Sequence, residues 1–91
     1  MFYKMQLLAF SVSGALVSSG DIIPLGEFDT TPAILVLDKI NRLKSDLGSM
    51  NQACGLLPNA IETNGYRIVI MVLDEDQNPV TYAQMYEYKH S

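Results

Sequence analysis

The chain has 91 residues, 48% of them apolar, with ten acidic and six basic side chains and a formal charge of −4. That size holds one domain, and the apolar fraction is too high for a disordered chain. An acidic balance argues against a nonspecific nucleic-acid binder, which needs a basic face to release counterions. A single cysteine, Cys54, and a single histidine, His90, rule out an internal disulfide and a four-ligand zinc site, so the cytoplasm is the expected compartment.

In chain order, residues 2–12 read as a strand. Tyr3, Met5, Leu7 and Ala9 share its drier side, and Lys4, Gln6, Leu8, Phe10 and Val12 share the other. Lys4, the apolar run after it and the small residues Ser18–Gly20 also resemble a weak secretory signal, but Gln6, Ser11 and Ser13 interrupt that run and favour the strand. The longest apolar stretch falls short of the ~20 residues that a membrane helix requires, so no membrane partner is expected. Ser13-Gly14 turns the chain and residues 15–19 form a short second strand. Pro24 and Gly26 make residues 22–28 an edge strand or an extended loop.

Residues 29–47 carry helical periodicity. Pro32 suits the first helical position, with Thr31 as N-cap and Asp29 near the positive end. Ala33, Val36, Leu37, Ile40, Leu43 and Leu47 form the apolar stripe. The rhythm runs on through Met50, Cys54 and Leu57, either as one long helix to about Cys54 or as two with a break at Gly48 and Ser49 as the second cap. The break is favoured, because glycine inside a helix costs ~1 kcal/mol relative to alanine. The heptad spacing fits a helix on a sheet better than a coiled coil, since it spans too few heptads and contains a glycine. Residues 58–65 read as a loop ending in an Asn64-Gly65 turn. Residues 66–73 and 80–89 then form an antiparallel hairpin with a loop of about five residues.

The candidate chemistry is thin. Asp74, Asp76 and Asn78 alternate like the first half of a calcium loop, but Pro79 replaces the turn glycine and Met85 the closing glutamate, so a solvated hairpin tip is the better reading. Cys54 with His90 as base would be a nucleophilic pair, yet Cys54 lies in an apolar rhythm and His90 is penultimate. No carboxylate pair stands out, the six glycines are isolated, and no cofactor, metal or catalytic residue is expected. Tyr82, Tyr86 and Tyr88, at alternating positions with Val80 and Gln84, suit core rim or protein interface; without interleaved basic residues they do not suggest nucleic acid. Lys39, Arg42 and Lys44 make a basic patch, explicable by the negative C-terminal end of the helix.

These readings add up to a single α+β domain over residues 1–91: a two-layer sandwich with a mostly antiparallel sheet of about four strands, ordered β-β-α-β-β, packed by one main helix. The strand at residues 66–73 is apolar on both sides, and one helix covers only one. Residues 22–28 and 58–65, as loops, would cover part of the second at the cost of buried backbone groups, so a homodimer, through the sheet face or by edge pairing, or another protein is expected against it. Tyr82, Tyr86, Tyr88, Arg42 and Lys39 are the candidate contact residues. The expectation is a small, soluble, non-enzymatic interaction module, of the kind phages and mobile elements use to bind and inhibit a host protein. The alternative is a small-ligand binder with an apolar pocket between helix and sheet, lined by Met5, Met50, Met71 and Met85.

Overall fold

The computed structural model describes residues 1–87, with side chains described through residue 81. The first strand, β1 (Phe2–Phe10), lies inside the sheet. Its alternation is strict: Tyr3, Met5, Leu7 and Ala9 are buried, and the residues between them are half-exposed. One edge of β1 pairs antiparallel with β4 (Arg67–Leu73) over Lys4–Phe10, placing Met5 opposite Val72, Leu7 opposite Ile70 and Ala9 opposite Ile68. Those six residues tile the buried side, because directly opposed residues in an antiparallel pair point to the same face.

The other edge of β1 is shared. Strand β2 (Leu16–Ser19) pairs with its C-terminal part and β3 (Ile23–Glu27) with its N-terminal part, each across a register shift. Pro24 and Gly26 do confine β3 to an edge. Strand β5 (Pro79–Glu87) pairs with β4, and the five strands form one antiparallel sheet with the order β2-β1-β4-β5, β3 sharing with β2 the same edge of β1 at its other end. The hairpin loop is residues 74–78, five residues long. Its Asp74 carboxylate accepts the backbone N–H groups of Asp76 and Asn78, both at 2.9 Å, so the acid cluster shapes a turn.

Three helices lie on one face. Helix α1 (Ala33–Lys44) starts one residue later than expected. Pro32, not Thr31, occupies the cap position, and no side chain caps the helix; a proline there offers no oxygen acceptor. The helical rhythm does break, but at Ser45-Asp46 rather than at Gly48. Asp46 caps α2 (Leu47–Ala53), accepting Gly48 N–H at 3.0 Å and Ser49 N–H at 3.4 Å, while the Ser49 hydroxyl donates to it at 2.7 Å. Ser49 thus serves the cap rather than being it, and Gly48 lies inside the helix. Residues 58–65, expected as a loop, contain a further short helix, α3 (Ala60–Asn64), which ends at Gly65 in the left-handed region, φ 69°.

The core forms where α2 and α3 meet the sheet: Met50, Cys54 and Ile61 pack on Met5, Leu7, Ala9, Ile68 and Ile70. Asn51 is the buried polar residue of this region. Its amide donates to Leu47 O and to Glu62 Oε1, and its Oδ1 accepts Ile61 N–H, so one side chain ties α2 to α3 with every bond satisfied. At Gly20 the chain passes so near α2 that a Cβ would overlap the Ala53 backbone carbonyl.

Candidate interaction surface

Helix α1 is amphipathic, yet none of its twelve residues is buried. At about 100° per residue, Val36, Ile40 and Leu43 form one ridge. They pack, half-buried, against the core. Ile34 and Leu37 form a second ridge on one flank, 84% and 58% exposed. Leu35, Lys39 and Arg42 form a third on the opposite flank. An apolar helix residue gains nothing by facing water, so the Ile34–Leu37 ridge is the anomaly of this surface.

Beside that ridge lies an open apolar groove of about 340 Å³. Ala33, Val36, Leu37 and Ile40 form one wall, and Val72 and Thr81 form the floor on the sheet. On the other flank, Lys39 and Arg42 border a second hollow of about 380 Å³, which reaches Ile23 on β3 and Ala53 on α2. Arg42 pairs with Asp38 one turn back at 3.3 Å, and both side chains are largely exposed, so that pair contributes little to stability.

The expected contact residues are therefore divided. Lys39 and Arg42 stand on exposed α1. Tyr82 and Tyr86 hold backbone register positions opposite Met71 and Ile68, which belong to different faces of β4. Register shifts on either side of Val69–Val72 give β5 an extra residue at Val80 and at Met85, and this corrects the expected alternation over Val80, Tyr82, Gln84 and Tyr86. The side chains of Tyr82 and Tyr86, and Tyr88 altogether, lie outside the described residues. The methionines expected to line one pocket are dispersed: Met5 and Met50 are fully buried in the core, Met71 faces the other side of the sheet, and the Met85 side chain is outside the described set. Ile34 and Leu37 were the residues that sequence reasoning missed. Leu37 belongs to the predicted stripe, and nothing in the spacing tells which edge of a stripe the sheet leaves bare.

Cys54 is free and fully buried, and burial pushes its thiol from 9.0 up to about 11. It is held as the neutral thiol, the unreactive form. His90, its candidate base, lies outside the described residues. Among the described residues, no three His, Cys, Asp or Glu side chains come together as a metal site, and no helix is long and apolar enough to cross a membrane.

The second face of the sheet has no layer over it among the described residues. Phe2, Lys4, Gln6, Leu8 and Phe10 from β1 and Val69 and Met71 from β4 line it half-exposed, and Leu16 of β2, opposite Phe10, is 56% exposed. Helices thus cover one side of β4; on its other side Val69 and Met71 are half-exposed and Leu73, opposite Lys4, is buried, with no helix over that side among the described residues.

Comparison with known proteins returns no match to the chain, whether to family models, curated sequences or solved structures.

Proposed function

We propose that this chain is a non-enzymatic, cytoplasmic interaction module that binds another protein through α1. The observation that carries this reading is a twelve-residue helix with no buried residue, which holds Ile34 and Leu37 in solvent beside an apolar groove. A groove of that shape takes one or two apolar side chains of a partner segment. Lys39 and Arg42 on the far flank favour acidic residues beside it. The buried, protonated Cys54 supports the non-enzymatic side of the reading. Small size and acidity suit an accessory protein of a phage or mobile element that occludes a host protein's surface; this part rests on general character alone.

The test is capture of partners from host extract, with the recovered partner then purified and its affinity measured by calorimetry. Ile34→Asp/Leu37→Asp should weaken binding by about tenfold or more, with the circular dichroism of the free protein unchanged. Lys39→Glu/Arg42→Glu should weaken it less and reduce its salt dependence. Wild-type affinity in the Ile34/Leu37 variant would remove α1 as the contact element.

A second reading, a small apolar ligand in the same groove, is favoured by the groove's lining, where Thr31 and Thr81 are the residues with polar side-chain atoms. A thermal-shift screen with apolar compounds decides it: binding that is lost in Leu37→Asp supports a ligand site.

A further inference from the structure

The uncovered sheet face is a second surface, separate from α1 and on the opposite side of the sheet. Its apolar residues come from three adjacent strands: Leu16 on β2, Phe2, Leu8 and Phe10 on β1, Val69 and Met71 on β4. An antiparallel sheet that faces water carries polar residues on that side. Among the described side chains of this face, Lys4, Gln6, Ser19, Glu27 and Arg67 are the polar ones, set among the apolar residues.

The edges of this sheet are poor docking sites. Strand β2 is four residues long, β3 contains Pro24, both carry a register shift against β1, and β5 carries two against β4. Short strands, proline and bulges are the devices that block edge-to-edge pairing. Association through the sheet therefore has to use its face.

The geometry points to a second copy of this chain as the occupant, packed face to face so that two sheets form the centre of a four-layer dimer. Three arguments select the copy. The first is area. Nine residues of β1 span about 30 Å and four strand columns about 19 Å, a projected face of about 600 Å². That is of the same order as the ~800 Å² per partner of a stable interface. The second is charge. Each copy carries −4, yet among the described side chains of this face Glu27, at its margin, is the one carboxylate. Two acidic molecules approach with least repulsion there. The third is shape: a twisted sheet packs on an identical sheet at about 10 Å separation with strands rotated by about 30°, so the surface is its own complement under a two-fold axis. Lys4, near one end of β1, has a stem long enough to carry its ammonium to the rim.

Sedimentation velocity over a concentration series tests the proposal, with three proteins side by side. The wild type should sediment at twice the 10.1 kDa chain mass at high micromolar concentration. Leu8→Lys/Val69→Lys should be monomeric at the same concentration with an unchanged circular dichroism spectrum. Ile34→Lys, on α1, should remain dimeric. A monomeric wild type, or a dimer that survives in the folded Leu8/Val69 variant, overturns the proposal. Loss of the dimer in Ile34→Lys alone overturns it as well and transfers self-association to α1.

A measurement on the unaltered chain guards against a variant that fails to fold. Peroxide oxidation of Met71 should slow by about tenfold relative to exposed Met1 as concentration rises through the dimer transition, while Met5 and Met50 stay unreactive throughout. Equal Met71 rates in dilute and concentrated protein exclude the face. The α1 reading stands or falls on its own variants, so either proposal can fail without the other.

Discussion

Cys54 and Gly20 show how much single residues are constrained here. The Cys54 thiol is enclosed by Met50, Ile61 and the sheet, and its acidity is suppressed by the missing solvent. Alkylation by iodoacetamide at pH 8 should be at least about tenfold slower in the native protein than in denaturant. Because the folded-state value is raised, to about 11 from 9.0, the thiol's contribution to stability is complete below pH 9 and declines as pH rises toward 11. Thermal unfolding between pH 8 and 11 should show this, with a shallower decline in Cys54→Ala. Gly20 is constrained by contact rather than by torsion. Gly20→Ala pushes a methyl into the Ala53 carbonyl, and urea denaturation should report a loss of roughly 2 kcal/mol or more. The apolar rhythm made Cys54's burial legible in the sequence. The Gly20 approach was not, because it depends on where α2 lands, 33 residues further along.

At the level of elements, periodicity located the strands and the helical region but not their junctions. The break after Lys44 follows from Asp46, whose carboxylate accepts the first N–H groups of α2. Hydrogen bonds from the Ser49 hydroxyl and backbone hold the Asp46 carboxyl below its ordinary 3.8. A depressed carboxyl stabilises the fold above its unfolded value and loses that effect as pH falls through the folded one. Asp46→Asn should therefore unfold at lower temperature than wild type at pH 7, and the gap should close below pH 4. Helix α3 escaped notice because its five residues, Ala60–Asn64, are too few to show a period. It is held by the Asn51 bonds, a long-range cause invisible in local sequence. The exposure of α1 has a dynamic consequence: with no buried residue, its amides should exchange with deuterium faster than those of α2, whose Met50 and Asn51 are buried, as hydrogen-exchange NMR would measure.

For the whole molecule, alternation in β1 and β4 and the amphipathic stripe were enough to read an α+β domain with an antiparallel sheet, and the drier side of β1 is the buried one. The sheet's order was not legible. Nothing in residues 2–10 says that their main partner is residues 67–73, because both strands alternate and either edge strand would satisfy that pattern. That pairing makes folding non-local, and stopped-flow refolding should fall in the millisecond-to-second range rather than the microseconds of helical bundles.

The same pairing has a consequence during synthesis. Leu7 waits for Ile70, 63 positions downstream, before its side of the sheet can close. At 5–20 residues per second, that delay lasts several seconds on the ribosome. Throughout it, the nascent chain offers Met5, Leu7 and Ala9 with only the narrow β2–β3 ribbon beside them, a window in which a chaperone that grips extended greasy segments would find its target.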